Sequence, residues 1–323
     1  MTTKSSPEDK GPERPVALIA GPTASGKSGL AVALAQRIEK AGGKAVVINA
    51  DSAQVYSDLS VLSARPTEQE MDGIEHRLFG AWDGSVACSA ARWAEVAREE
   101  IAKCHEEGAV PILVGGTGMY MKVLLEGIAP IPEIDPEVRR VVREMPVGVA
   151  YDALMIEDPE RATLLEPTDS QRIARALEVK RSTGVTLGDW QMAKTGGIAE
   201  EIALFPLILL PPRDWLYERC DTRFSQMLAS GAKDEVEALL ACGLDPDLPV
   251  MRAIGVPEIS ALLADEATIE ETIEAGAQAT RNYAKRQYTW FRRQTNPDWP
   301  RITSEIESDN IDLKEYFDGL LLD

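Results

Sequence analysis

Along the first third of the chain, short apolar runs alternate with longer stretches whose apolar residues recur every third or fourth position. Val16 to Ala20 (VALIA) predicts a buried strand, and glycine-rich sequence follows it at once. Ser28 to Ala41 sets Leu30, Leu34 and Ile38 on one face of a helix. Ala45 to Ile48 (AVVI) predicts a second strand, Arg92 to Glu107 a further amphipathic helix, and Val110 to Val114 (VPILV) a third strand. Strands separated by helices predict an α/β fold with a parallel sheet whose ligands sit at the strand ends.

The pattern then breaks. Gly127 to Pro136 (GIAPIPEIDP) holds three prolines in ten residues and reads as a domain edge. Charge-rich helical sequence continues to about 195, where Thr195-Gly196-Gly197 interrupts it. Ile202 to Leu210 resumes strand character despite Pro206, and the remainder reads as helical. The predicted organisation is a flexible arm (1–15), a core of 16–127 and 199–301, a helical insertion (128–198) and an acidic tail (302–323). The twenty-two tail residues carry seven acids and one lysine, which predicts a solvated tail or a surface helix.

Composition narrows the class. The 323 residues are 44% hydrophobic and 27% charged, ordinary for a globular chain with a full core and wrong for a disordered or fibrous one. Four cysteines, at 88, 104, 220 and 242, form no C-x-x-C pair, so they predict reduced thiols in a cytoplasmic protein. The longest apolar run is far short of the roughly 20 residues that span a bilayer, and the charged first fifteen residues exclude a signal peptide. His76 and His105 are isolated and predict packing or surface roles. The formal charge of −19 argues against a polyanionic partner if it is evenly spread.

The chemistry begins after the first strand. Gly21-Pro22-Thr23-Ala24-Ser25-Gly26-Lys27-Ser28 spells G-x-x-x-x-G-K-S between a strand and a helix. In that context the loop's N–H groups, the helix N-terminus and Lys27 converge on phosphate, and Ser28 offers a hydroxyl to Mg²⁺. The fold class is therefore a P-loop NTPase-like parallel sheet flanked by helices, with a small helical insertion. Where kinases and ATPases place a magnesium-binding Asp at a later strand end, the strand Val110 to Val114 runs into Gly115-Gly116-Thr117-Gly118. A carboxylate appears instead after the second strand, as Asp51. Taken alone, Asp51 reads equally as a turn or cap residue, and Thr117 as a turn hydroxyl.

Charge is also unevenly spread. From Arg281 to Arg293 there are five Lys or Arg and no acid, with Tyr283, Tyr288, Trp290 and Phe291 between them. On a helix, Arg281, Lys285 and Arg292 share one stripe and Tyr283, Gln287 and Trp290 another. A second cluster sets Gln171, Arg172 and Arg175 outward while Ile173 and Leu177 face a core. By themselves both clusters read as solvated helix faces.

Seven phrases in order change these readings: GPTASGKS (21–28), INADSAQVY (48–56), LVGGTGMYMKVLLEGIAPIP (113–132), DSQRIARALEV (169–179), RCDTRFSQMLASGAKDEV (219–236), RAIG (252–255) and AKRQYTWFRR (284–293). Together they resemble the tRNA dimethylallyltransferases, also called tRNA isopentenyltransferases, in the bacterial form that lacks a C-terminal zinc finger. The likeness covers residues 16 to 293.

The resemblance implies that residues 21–28 hold the diphosphate of dimethylallyl diphosphate, with Mg²⁺ as cofactor. The five-carbon group would pass to N6 of the adenosine beside the anticodon of tRNA. Asp51 would accept the amine's proton, Thr117 donate to the bridging oxygen, and Arg223 clamp the diphosphate; by itself Arg223 reads as a solvated helix arginine. The implied contacts to the tRNA anticodon stem-loop are Asp51, Ser52, Ala53, Gln54, Thr117, Arg139, Gln171, Arg172, Arg175, Arg252, Gly255, Arg281, Lys285, Arg286, Gln287, Trp290 and Arg292. A monomer suffices, with no membrane partner. Two departures stand out: Ser28 where many relatives have Thr, and Val256-Pro257 where an aromatic and a charged residue are common. A small-molecule P-loop kinase, an enzyme prenylating free adenine nucleotide and a non-catalytic RNA-binding switch remain the competing readings.

Overall fold

The computed structural model describes residues 14–306 and 311–321. Six strands, β1 (Pro15–Ala20), β2 (Lys44–Asn49), β3 (Glu75–Arg77), β4 (Ala109–Gly115), β5 (Ala203–Leu209) and β6 (Arg301–Ile302), form one sheet in the order β3-β2-β4-β1-β5-β6. Every pairing is parallel. β1 lies inside the sheet, and Val16 to Ala20 are fully buried, which is why it reads as an unbroken apolar run. Helices α1 (Lys27–Lys40), α2 (Glu68–Met71), α3 (Ala90–Glu106) and α4 (Gly118–Glu126) lie between the early strands in sequence.

The chain divides into two compact units, one of residues 1–124 and 199–323 and one of residues 125–198. The second unit holds α5 (Pro136–Glu144), α6 (Val147–Glu157), α7 (Pro159–Thr163), α8 (Ser170–Thr183) and α9 (Leu187–Met192). Its small core gathers Val142, Leu154, Ile173 and Leu177. Glu178 is also buried there, held by Arg143 at 2.8 Å. At its neck two segments run so close that a Cβ on Gly127 would lie 2.4 Å from the Thr195 carbonyl oxygen, and one on Gly197 2.5 Å from that of Leu125.

In the first unit the chain resumes with β5, then α10 (Arg213–Met227), α11 (Lys233–Ala241), α12 (Val256–Leu263) and the long α13 (Ile269–Gln294). α10 packs on α13, where Gly276 leaves room for the Phe224 ring. Among the described residues no helix is long and apolar enough to cross a membrane, and all four cysteines are free thiols.

Three details differ from the expectations. β3 was not anticipated, because its three residues, Glu-His-Arg, carry no apolar signature; Arg77 there is held by Glu75, Glu100 and Glu107. Pro206 sits inside β5 without breaking it. Even-numbered N–H groups of this strand point toward β6, as Ile208 and Leu210 show, and β6 pairs only with Ile208 and Leu209, so no bond is forfeited at Pro206. Finally, of the two alternatives for the acidic tail, the described residues form the surface helix and also join the core. Arg301–Ile302 form β6, and α14 (Leu313–Phe317) buries Leu313 and Phe317 with Ile302, Ile306 and Leu320 in the main core. Glu305, Asp312, Glu315 and Asp318 are exposed while those apolar residues are buried, so net charge concealed an amphipathic segment. Residues 1–13 of the expected arm, with 307–310 and 322–323 of the tail, lie outside the described residues.

Phe317 is 0% exposed, so Phe317→Ala is expected to lower stability by about 3–5 kcal/mol in urea unfolding. A loss below about 1 kcal/mol would show that the tail is not part of the core.

Candidate active site

β2, β4 and β1 are neighbours in the sheet, so the loops after them meet at one edge. Residues 21–28 follow β1 and turn into α1 through Ala24 (φ +61°) and Gly26 (φ +89°). Gly21 admits no side chain, since a Cβ would lie 2.6 Å from the Leu209 carbonyl oxygen. Lys27 is 8% exposed, and its Nζ donates to the Pro22 carbonyl at 2.6 Å. Burial pushes its ammonium down from the usual 10.5 to about 8; Asp51 pulls it back up and Arg223 adds to the fall. Ser28 is exposed and lines the cleft beside this loop.

The loop after β2 is held by a side chain that sequence patterning does not single out. Asn49 is fully buried; its carbonyl accepts from Asp51 N at 2.9 Å, and its amide donates to the carbonyls of Asp51 and Leu78 at 3.0 and 3.1 Å. Asp51 is 9% exposed and accepts from Ala53 N at 3.0 Å through Oδ1. The loop after β4 is stitched to it. Thr117 N donates to the Ala50 carbonyl at 3.2 Å, and Ser52 N donates to Thr117 Oγ1 at 2.8 Å. The Thr117 and Ser52 hydroxyls also bond each other at 3.0 Å. Asp51 and Thr117 are therefore presented together.

From α10, Arg223 Nη1 donates to Thr23 Oγ1 at 3.3 Å, and Arg219 Nε to the Ala24 carbonyl at 2.9 Å. Desolvation lowers the Arg223 guanidinium from its usual range, against the pull of Asp51. The phosphate loop, Asp51, Ser52, Ala53, Gln54, Arg219 and Arg223 line a cleft of about 1360 Å³ within the first unit, closed on other sides by Arg252, Tyr283 and Arg286. Lys27, Arg219, Arg223, Arg252 and Arg286 line it together with the carboxylate of Asp51 and the hydroxyls of Thr23, Ser28 and Ser52. Such a site suits a multiply charged phosphate ester whose partner must lose a proton. Among the described residues no group of three or more His, Cys, Asp and Glu could hold a metal. Ser28 and Asp51 are oxygen donors of the kind Mg²⁺ takes together with phosphate oxygens and water.

The structure brings together the phosphate loop, Asp51, Ser52, Ala53, Thr117 and Arg223. Lys285, Arg286 and Arg292 are exposed on α13, and Arg286 lies over the Tyr283 ring at 5.7 Å. Arg139, Gln171, Arg172 and Arg175 are exposed on the second unit, with Arg172 near Asp169 and Arg175 near Glu178. Arg281 pairs with Asp221, and Arg252 with Asp247.

Four residues expected at an RNA surface have inward tasks. Gln287 is 5% exposed, with its amide bound at both ends to backbone. Trp290 covers Gly118, where a Cβ would lie 2.1 Å from the ring. Gln54 donates to the carbonyls of Ser63 and Ala64, though it also lines the cleft. Gly255 (φ +97°) is a turn residue pressed on Leu62, followed by the buried Val256 and by Pro257 in the first turn of α12.

Three further residues went unrecognised. Tyr283 is raised by burial and by Asp51 while the hydroxyls of Thr117 and Ser52 pull it down; its place four residues before Gln287 was the available signal. Glu235 accepts from the N–H groups of Ser60, Val61 and Leu62, fixing the cleft wall, and nothing local in the sequence pairs it with them. Arg219 lies at helical spacing from Arg223 and stacks on Trp215 at 4.5 Å.

The chain is similar to known proteins over most of its length. The family model described as IPP transferase matches residues 54–294. A tRNA dimethylallyltransferase of Erythrobacter litoralis is 62% identical over 314 residues, covering 97% of this chain and 98% of the relative. The crystal structure of the full-length tRNA isopentenylpyrophosphate transferase from Bacillus halodurans superposes with a TM-score of 0.66 at 31% identity, covering 95% and 94% of the two chains. A eukaryotic dimethylallyltransferase, described as acting on tRNA, superposes with a TM-score of 0.73 at 29% identity over 85% of this chain and 69% of its own. On the matched span and on this near-complete relative, the chain belongs to the IPP transferase family, that of the tRNA dimethylallyltransferases.

Proposed function

We propose that this chain moves the dimethylallyl group from dimethylallyl diphosphate to N6 of the adenosine adjacent to the anticodon in tRNA, releasing diphosphate. The observation that carries the reading is that Ala50 and Ser52, on either side of Asp51, are hydrogen-bonded to Thr117 beside a phosphate loop backed by Lys27 and Arg223. In the transfer, the C1–O bond of the diphosphate ester breaks and its electron pair leaves with diphosphate. The N6–C1 bond forms, and the amine proton passes to Asp51. Thr117 donates to the bridging oxygen as charge gathers there, while Thr23, Lys27 and Arg223 meet the two phosphoryl groups. Mg²⁺, when bound, would neutralise phosphate charge, and the Ser28 hydroxyl would hold it.

The adenine must leave its stack to reach Asp51 in the cleft. Exposed Lys285, Arg286 and Arg292, with Arg252 at the cleft and Arg139, Gln171, Arg172 and Arg175 on the second unit, meet the anticodon stem-loop backbone. The reading includes a monomer in the cytoplasm, which four free thiols suit.

The deciding assay offers labelled dimethylallyl diphosphate with unmodified tRNA or with AMP, and ATP separately. Label in tRNA is expected. Label in AMP alone, or ATP turnover without transfer, would overturn the reading. Asp51→Ala and Thr117→Ala are expected to cut single-turnover transfer by about 10²–10⁴ while tRNA still binds; a near-normal rate in Asp51→Ala removes it as the base. Because the Lys27 ammonium titrates near 8, inorganic diphosphate should bind best below that pH and take up a proton above it. Calorimetry in two buffers reads this uptake, and the same uptake in Lys27→Met would assign it elsewhere. Replacing Lys285 and Arg286 by Ala should flatten the salt dependence of tRNA binding, by a slope of up to about 0.7–0.9 for each phosphate no longer neutralised. An unchanged slope takes these residues out of the interface.

A further inference from the structure

α13 turns Ala284, Gln287 and Phe291 inward, and Gln287 is the polar member of that face. Its Oε1 accepts from Thr23 N at 2.8 Å, and its Nε2 donates to the Gly116 carbonyl at 2.9 Å. One end of the amide therefore holds the phosphate loop after β1, and the other holds the loop after β4, one residue before Thr117. Gly116 is the point of contact with the reacting groups. A Cβ there would lie 2.2 Å from Gln287 Nε2 and 3.0 Å from Asp51 Oδ2, so the amide and the carboxylate flank the same glycine. One turn further along α13, Trp290 presses on Gly118, so the helix grips the loop on both sides of Thr117.

The bridge spans one N–H donor and one carbonyl acceptor. A primary amide satisfies both with one side chain; a carboxylate offers two acceptors and a thioether offers neither a donor nor a strong acceptor. The same backbone spacing decides whether a diphosphate seated on residues 21–28 meets Thr117 and Asp51 in line. We propose that Gln287 is a positioning residue for the transfer, fixing the spacing between the phosphate loop and the Thr117 loop, and is not an RNA contact. The proposal rests on the transfer reading given above. Gln287 touches no reacting atom; it acts through Gly116 and Thr23.

The test compares wild type, Gln287→Met and Gln287→Glu in single-turnover transfer from labelled dimethylallyl diphosphate to unmodified tRNA. KM for both substrates and thermal unfolding are measured alongside. Gln287→Met keeps the length and volume but makes neither bond. It should lower the rate at saturation about 100-fold, as a misplacement of about 1 Å does, with KM for tRNA changed less than about threefold. Gln287→Glu keeps the acceptor for Thr23 N and sets a carboxylate against the Gly116 carbonyl. It should be at least as slow, and it serves as the second variant if Gln287→Met unfolds at the assay temperature. A saturating rate within about threefold of wild type, or a defect confined to KM for tRNA, overturns the positioning role. Wild-type protein that transfers no label sinks the transfer reading itself, an outcome separate from an active wild type with indifferent variants.

Discussion

The backbones after β2 and β4 touch where a single methyl group would not fit: a Cβ on Gly115 would lie 2.1 Å from the Ala50 carbonyl oxygen. That approach lets Thr117 N reach Ala50 and lets the Thr117 hydroxyl take the Ser52 N–H. It follows from parallel strands buried on both faces, whose spacing the sheet ladder sets at about 4.8 Å and whose ends therefore arrive side by side. Asp51 and Thr117 are neighbours because their strands are, although 65 residues of chain separate Ser52 from Thr117. Asn49 keeps the first loop rigid, Glu235 braces the wall beyond it, and the helices α10 and α13 fasten the phosphate loop against both. Rigid strand ends with bonded loops are what a site needs when reacting atoms must be held within a fraction of an ångström.

Most of the fold was legible because its signals are local. Val16 to Ala20 leads directly into G-x-x-x-x-G-K-S, and the prolines and glycines at 127–136 and 195–197 bracket the second unit. Asp51 and Thr117 were legible as strand-end residues. What escaped was either too short for periodicity, as with Glu75–Arg77, or defined by distant partners. Glu235 and Asn49 look like ordinary polar residues until the chain brings their backbone partners to them. Gln287 is the sharper case. It shares a helical stripe with Tyr283 and Trp290, and only the family resemblance implies that it meets RNA. Helical spacing locates its face correctly but cannot tell that the face is covered by two loops from elsewhere. In the tail the seven acids left a surface helix as one of two alternatives, and the spacing of Leu313, Phe317 and Leu320 shows how that helix joins the core.

The charge of −19 also has a structural side. Many acids are engaged inside the protein: Glu235 caps a loop, Glu178 sits with Arg143 in the second unit, and three glutamates surround Arg77. Some cations are engaged as well, Arg281 with Asp221 and Arg252 with Asp247. The exposed Lys285, Arg286, Arg292 and Arg293 thus stand out on an otherwise acidic molecule, a distribution that favours one orientation of a polyanion through long-range repulsion from the rest.

Ile306 lies against Gly26 of the phosphate loop, and Gln287 holds Thr23. The loop at residues 21–28 leaves the ribosome before Gln287 and Ile306, which touch it. At about 5–20 residues per second, translation separates the two events by roughly 15–55 seconds. Through that interval the nascent chain carries the motif without these two contacts. Premature termination before residue 287 would leave the loop with Arg219 and Arg223 against it but without the Gln287 bridge to the Thr117 loop.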